Sequence, residues 1–193
     1  GEPSKLAPRQ VLKNIIKKLS DEELQAVVAP ELEFYLCEQN LDPDLPLKTP
    51  IGKSGRRETG SRVFGIDAVN EFDKLTDDIY DYCELMNIGV DTLVHESGPS
   101  QIEINLNHGD PLALADQAFM FKRAVRQVAL KHNIHATFMA KPYQGQPGSS
   151  MHIHQNLVSA KTGENLFSDK EGNNSKEFFN FIGGLQTYLP DAM

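Results

Sequence analysis

The stretch PGSSMHIHQN, residues 147–156, places His152 and His154 two positions apart behind a Gly-Ser-Ser turn. In a β-strand, side chains at i and i+2 project from the same face, about 7 Å apart. The two imidazoles are therefore expected to share one side of a strand, with Met151 and Ile153 facing the core. This histidine pair marks one wall of a candidate polar site.

Acidic residues recur on the polar sides of two other predicted strands and in the turn beside them. They are Glu31 and Glu33 in PELEFYL (30–36), Glu96 before a Gly-Pro turn, and Glu103 in QIEINL (101–106). Four carboxylates that converge on one place repel each other strongly unless cations neutralise them. Carboxylates with one or two imidazoles suit Mg²⁺ or Mn²⁺, whereas zinc favours thiolates or more histidines. The pattern predicts a divalent-metal site.

Each of these patterns also has an ordinary interpretation. A Glu-X-Glu strand alone is typical of two solvent-facing glutamates, and a His-X-His strand alone is typical of a hydrogen-bonded pair. Their joint occurrence on the polar sides of strands with apolar backs favours the metal site. Two-metal sites clamp phosphate oxygens during in-line transfer, so phosphoryl chemistry on an ATP-like substrate is indicated. Spacing alone leaves a two-metal hydrolase open.

Composition excludes several other classes. The chain has 193 residues, of which 39% are hydrophobic and 24% charged, and these fractions are ordinary for a soluble globular domain. No apolar run approaches the roughly 20 residues of a membrane span, and the polar start does not look like a signal peptide. Cys37 and Cys83 form no CxxC motif, so neither zinc nor a disulfide framework is indicated. We expect a cytoplasmic protein, and the net charge of −8 argues against a nucleic-acid surface.

Helical and strand patterns alternate along the chain. Helices are predicted from Pro8 to about 19, over 67–87, from Pro111 to Lys131 with Asp110 as N-cap, and over 175–189. Strands are predicted over 26–38, 89–96, 101–107, 134–140 and from the histidine pair to about 158, with another short strand after a turn at 161–165. Residues 39–62 are expected to form a long loop, and loops of this length are usually functional or disordered.

The motifs PELEFYL, VHESGPSQIEINL, FMAKP, GSSMHIHQNL and FIGGL, in this order, resemble the catalytic domain of the glutamine synthetase family over nearly the whole chain. The stretches VHESGPSQIEINLNHGDPLALAD and ATFMAKPYQGQPGSSMHIHQ are most similar to the gamma-glutamylpolyamine (gamma-glutamylputrescine) synthetase branch. The resemblance implies an α+β fold in which a curved, mostly antiparallel sheet with flanking helices lines a site between subunits of a homo-oligomeric ring. It also implies ATP-dependent ligation of glutamate to ammonia or a polyamine through a gamma-glutamyl phosphate. The second functional class that stays open is a non-catalytic relative, with a metal-binding or structural role.

The resemblance also assigns residues by motif. Glu33, Glu96 and Glu103 match ligands of a first metal, and Glu31 and His152 match ligands of a second. The residues that match nucleotide contacts are His154, Asp91 and Asn156, and Gly148 matches a contact to the glutamate substrate. Asp91, Pro147 and Asn156 depart from the family's usual Glu, Asn and Ser. No catalytic residue beyond the metal ligands is implied within the chain.

The resemblance further indicates an incomplete enzyme. Residues 1–193 match a partial catalytic domain, without the family's small N-terminal β-domain and without the later segment that carries several arginines and another metal-ligating Glu. The family uses two or three Mg²⁺ or Mn²⁺ ions per site, with ATP as co-substrate. We therefore predict that this chain has no ligase activity by itself.

Overall fold

The long first strand is the centre of a five-stranded sheet in the computed structural model, which describes residues 3–192. The strands are β1 Leu24–Glu38, β2 Val90–His95, β3 Gln101–Leu106, β4 Ile134–Thr137 and β5 Met151–Ser159. Their order is β2-β3-β1-β4, and β5 also pairs with β1. The β2–β3, β3–β1 and β1–β4 pairs are antiparallel, as expected for β2 and β3 from the four-residue SGPS connection.

One face of the central strands is apolar and forms the core. Six side chains of β1 and β3 are no more than 2% exposed: Leu32, Phe34, Leu36, Ile102, Ile104 and Leu106. The ring of Phe34 lies 5.1 Å from that of Phe138, which in turn contacts Phe121 at 6.4 Å between centroids. Because alternate residues of a strand face opposite sides, burial of this face directs Glu31, Glu33 and Glu103 to the other side.

Five α-helices accompany the sheet in the described part of the chain. They are α1 Pro8–Asp21, α2 Ile66–Asn70, α3 Asp73–Leu85, α4 Pro111–Lys131 and α5 Lys176–Tyr188, and a 3₁₀ turn follows at Leu189–Ala192. Asp110 caps α4 as predicted, since its Oδ1 accepts hydrogen bonds from the amides of Leu112 and Ala113 at 3.0 and 2.9 Å. One apolar stripe of α4 is buried, and it consists of Leu114, Ala118, Phe121, Val125 and Val128.

The single helix predicted over 67–87 is two helices, α2 and α3. Phe72 interrupts them with φ −125° and ψ 28°, a non-helical conformation, while its ring is buried in the core. The interruption frees the Glu71 carbonyl to accept from the Lys53 amide at 3.0 Å, and the Glu71 carboxylate accepts from the Ser54 amide at 3.1 Å. The break therefore anchors the loop that precedes α2.

The expected burial beside the histidine pair is wrong. Met151 and Ile153 each keep 50% of their surface exposed, so this side of β5 is not part of the core. Alternation in a strand fixes which side chains share a face, but it does not determine whether another element covers that face. The short strand predicted after 161–165 is also absent among the described residues, where the isolated bridges Val158–Asn165 and Ser168–Asn174 occur instead.

The chain divides into two compact units. One contains the described residues up to Val28, Gly109–Ala113 and the residues from His154 onward; the other contains Ala29–His108 and Leu114–Ile153. All five predicted metal ligands belong to the second unit. Between residues 3 and 192, no helix has both the length and the apolar character needed to cross a membrane.

Candidate metal centre

The register of β1 and β3 sets carboxylates side by side on the polar face of the sheet. Glu33 lies directly opposite Glu103, and Glu31 lies opposite Asn105. Directly opposed residues of an antiparallel pair have their Cβ atoms about 4.5–5.5 Å apart. Like charges in this position destabilise a sheet, so the arrangement is unfavourable without a compensating cation.

Three of the five predicted metal ligands lie close together in the structure. One ligand atom from each of Glu31, Glu103 and His152 lies within 4.8 Å of the others. The Nδ1 atom of His152 is 3.1 Å from Oε2 of Glu31. Glu33 and Glu96 are outside this three-residue group. The side-chain geometry therefore assembles one carboxylate–imidazole cluster from three strands, β1, β3 and β5.

The electrostatics of Glu103 involve all four acidic residues. Burial raises the pKa of the Glu103 carboxyl above its usual value of 4.5, and the negative charges of Glu31, Glu96 and Glu33 raise the pKa further. Glu33 and Glu96 are thus close enough to affect Glu103, although they lie outside the three-residue group. A divalent cation among these oxygens would relieve the repulsion, and an oxygen-rich set with one imidazole fits Mg²⁺ or Mn²⁺.

Gln101 is a site residue whose role the sequence did not reveal. Its fully buried amide donates from Nε2 to Oε2 of Glu33 at 3.0 Å and to the carbonyl of Gly148 at 2.9 Å. Its Oε1 accepts from the Gly98 amide at 2.9 Å. Gln101 therefore fixes a predicted metal ligand and the predicted glutamate-contacting glycine at once. The one available signal was its position on the Glu103 face, two residues before that glutamate.

Glu33 is held by a second donor from the loop before β5. The amide of Ser150 donates to the same oxygen, Oε2, at 3.0 Å. Gln101 and Ser150 thus donate to the same oxygen of Glu33, and neither of them occupies Oε1. Hydrogen bonds to a carboxylate fix its orientation.

Tyr35 connects the β2–β3 turn to the loop before β5. Its hydroxyl donates to the carbonyl of Pro147 at 2.8 Å, and a Cβ atom added at Gly98 would lie 1.9 Å from the same hydroxyl. Burial raises the pKa of Tyr35 to about 12, with further contributions from the charges of Glu33 and Glu96. The phenol is therefore a neutral donor at physiological pH, and it restrains the segment that contains Gly148.

The three residues predicted to contact the nucleotide do not belong to the group of Glu31, Glu103 and His152. Asp91 is exposed on β2, within the irregular register between Val90 and Leu93. His154 and Asn156 are exposed on β5 and belong to the first compact unit. The amide oxygen of Asn156 accepts from Nδ2 of Asn165 at 3.3 Å. Their contact with a nucleotide stays a prediction.

Residues 5–193 match the family model described as "Glutamine synthetase, catalytic domain". The chain belongs to the glutamine synthetase family. Over 195 aligned residues it is 40% identical to the gamma-glutamylputrescine synthetase PuuA of Escherichia coli (strain K12), and the match covers 100% of this chain and 41% of that relative. It is 36% identical to the glutamine synthetase of Pyrococcus abyssi (strain GE5 / Orsay) over 185 residues, which cover 96% of the chain and 39% of the relative.

Solved structures of this family share the fold. The structure described as apo GmaS without ligand superposes with a TM-score of 0.82 at 27% identity, covering 98% of this chain and 43% of that one. The cryo-EM structure of Plasmodium falciparum glutamine synthetase gives a TM-score of 0.80 at 25% identity, covering 98% and 41%. The predicted family and α+β fold class are confirmed. The chain spans about two fifths of the length of the curated relatives it matches.

Proposed function

We propose that the full-length enzyme that contains this chain joins an amine to the side-chain carboxylate of glutamate, using ATP. The carboxylate oxygen takes the γ-phosphoryl group, which gives gamma-glutamyl phosphate and ADP. The amine nitrogen then attacks the acyl carbon, phosphate leaves, and the nitrogen loses a proton. The observation that carries this proposal is the assembly of Glu31, Glu103 and His152 ligand atoms within 4.8 Å, in a chain of the glutamine synthetase family.

The proposed metal ligands are Glu31, Glu33, Glu96, Glu103 and His152. Bound Mg²⁺ or Mn²⁺ would neutralise charge on the phosphates and on the glutamate carboxylate, which otherwise repel each other. Support for this set comes from the electrostatic effects of the other three carboxylates on Glu103. The oxygen-rich donor set with one imidazole is the composition that these hard cations accept.

The other residues of the chain would position the substrates. Gln101 holds Glu33 and the carbonyl of Gly148 in fixed orientations, which supports Gly148 as a contact for the amino-acid substrate. Fixed orientation matters because in-line phosphoryl transfer depends on alignment of the attacking oxygen with the phosphorus. Asp91, His154 and Asn156 are proposed to contact the nucleotide.

A polyamine is the proposed amine. The 40% identity to a gamma-glutamylputrescine synthetase supports it, and the chain's net charge of −8 would favour a cationic acceptor. Ammonia is the second candidate, favoured by the 36% identity to the Pyrococcus abyssi glutamine synthetase. We further propose that the enzyme is a ring of identical subunits with sites between neighbours, and that residues 1–193 are part of its catalytic domain.

The test is phosphate release by the full-length enzyme with ATP, Mg²⁺ and glutamate. Putrescine, ammonium and no amine are compared at equal ionic strength. We expect putrescine to stimulate phosphate release most strongly. The variant His152→Ala is expected to lose that activity, whereas His108→Ala, which alters an exposed histidine outside the cluster, is expected to keep it.

Each alternative predicts a different result in the same assay. Stimulation by ammonium but not by putrescine would identify a classical glutamine synthetase. If the folded full-length protein shows no amine-dependent phosphate release, the remaining interpretation is a non-catalytic relative of the family. The isolated chain of residues 1–193 is expected to show no turnover, and turnover by it would refute the proposal that its sites are incomplete.

A further inference from the structure

Outside the metal cluster, the described chain contains a buried ion pair that the proposed reaction does not use. The side chains of Glu58 and His95 are 9% and 1% exposed, and Nε2 of His95 lies 2.8 Å from Oε2 of Glu58. Glu58 belongs to the loop between β1 and α2, 37 residues before His95 in sequence. A buried carboxylate that far from its partner in sequence connects two parts of the fold.

The turn between β2 and β3 is attached to this pair at both ends. At its start, Nδ1 of His95 lies 2.8 Å from the carbonyl oxygen of Glu96, which can only accept a hydrogen bond. At its end, the amide of Ser100 donates to Oε2 of Glu58 at 2.6 Å. The same carboxylate oxygen therefore holds Ser100 directly and Glu96 through the imidazole ring.

The hydrogen-bonding capacities of the groups make this arrangement specific. Both nitrogens of His95 face oxygens, and because the Glu96 carbonyl can only accept, Nδ1 is the donor of that hydrogen bond. Removal of Glu58 would leave a buried imidazole nitrogen and the buried Ser100 amide without their acceptor. Glu96 is a proposed metal ligand, and Oε2 of its carboxylate accepts from the amide of Ser97 in this turn at 3.0 Å.

We propose that Glu58 is a positioning residue for the metal centre, which through His95 and Ser100 fixes the β2–β3 turn so that Glu96 is held at the site. This inference rests on the proposed metal function. Residues that orient metal ligands typically change metal affinity by about 10–100-fold when they are replaced. The loop between β1 and α2 thereby contributes to the site without touching a cation.

The test measures Mn²⁺ binding to the chain by the electron paramagnetic resonance of free Mn²⁺, with folding checked by circular dichroism. We expect Glu58→Ala to bind Mn²⁺ about tenfold more weakly than the unaltered chain. Arg57→Ala is the matched control. It removes a different anchor of the same loop, since Arg57 binds Glu38 and the Thr49 carbonyl, and its affinity is expected to stay within about twofold.

Glu58→Gln separates positioning from stability. Its amide oxygen keeps an acceptor for His95 and Ser100, while its NH₂ group replaces Oε1, which is buried without a partner in the described chain. We expect a lower melting temperature but an Mn²⁺ affinity restored to within about threefold of the unaltered chain. An affinity as weak as that of Glu58→Ala would overturn the positioning role.

A second variant keeps the test decisive if Glu58→Ala does not fold. His95→Gln retains a donor near Oε2 of Glu58 but removes Nδ1, the donor to the Glu96 carbonyl. We therefore expect this variant to bind Mn²⁺ more weakly. Unchanged Mn²⁺ affinity in a folded Glu58→Ala or His95→Gln chain would overturn this inference but not the proposed metal centre. If the unaltered chain binds no Mn²⁺, the same variants are compared in the full-length enzyme, where absence of saturable Mn²⁺ binding would overturn the metal centre and this inference with it.

Discussion

Glu103 has the least favourable electrostatic position of the acidic residues in the site. It is 9% exposed, lies opposite Glu33, and has its pKa raised by burial and by three neighbouring carboxylates. Such a residue lowers the stability of the metal-free fold. Binding of a cation at the proposed metal centre would account for its place on the strand face, because a cation would convert the same charge density into favourable interactions.

Replacement of Glu103 by Gln is expected to raise the melting temperature of the metal-free chain at pH 7. The pKa of Glu103 is higher in the folded state than in the unfolded state, so the folded state binds more protons between the two values. Stability therefore falls as pH rises through that window. The same variant is expected to bind Mn²⁺ at least about tenfold more weakly, since loss of even a supporting residue has that effect.

Calorimetry as a function of pH provides the check. The advantage of Glu103→Gln should shrink as pH is lowered toward 4.5, where Glu103 itself becomes protonated. Glu84→Gln, on the exposed face of α3, controls for the change in net charge. A Glu103→Gln chain that is less stable than the unaltered chain at pH 7 would show that the carboxylates do not repel in the folded state.

Among the elements, β1, β3 and α4 follow their sequence patterns most closely. Each has a single apolar face, so the period of two in the strands and of 3.6 in the helix identifies the apolar side chains of the core directly. The division between α2 and α3 was missed because Val69, Phe72, Leu75 and Ile79 continue a helical period through it. Only the contacts of Glu71 with the preceding loop explain the break, and these are tertiary.

The start of α4 allows a quantitative prediction. Asp110→Ala removes the acceptor for the amides of Leu112 and Ala113, and we expect it to lower the free energy of unfolding by about 1 kcal/mol. Asp110→Asn keeps a side-chain oxygen in place, and we expect it to lower the free energy of unfolding by only about 0.3 kcal/mol, because Asn is an equally good N-cap. Urea unfolding measures both. Equal losses in the two variants would contradict a capping role.

For the molecule as a whole, the proposed metal centre predicts that stability depends on divalent cations. A ligand that binds only the folded state stabilises it by about 2.7 kcal/mol when present at 100 times its dissociation constant. We therefore expect Mn²⁺ or Mg²⁺ to raise the melting temperature of the chain and a chelator to reverse the rise. KCl at matched ionic strength is the control, since it screens the net charge of −8 without binding. An equal rise in KCl would exclude a specific site.

The sequence predicted the candidate site in part. Glu31, Glu33, Glu103 and His152 follow from local alternation, because each lies on the polar side of a strand with an apolar back. The contacts made by Gln101 and Glu58 do not follow from any local pattern. Gln101 reaches Glu33 across 68 positions of sequence, and Glu58 reaches Ser100 across 42. Such pairings arise only when the chain is folded.

Gly98 packs so closely against the hydroxyl of Tyr35 that a substitution there could change substrate preference. A single methyl group at position 98 would displace the phenol and release the Pro147 carbonyl, so the segment beside Gly148 would shift while every acidic ligand stayed unaltered. Natural variation or laboratory evolution could thus move the proposed contact for the glutamate substrate through one small substitution in a tight turn.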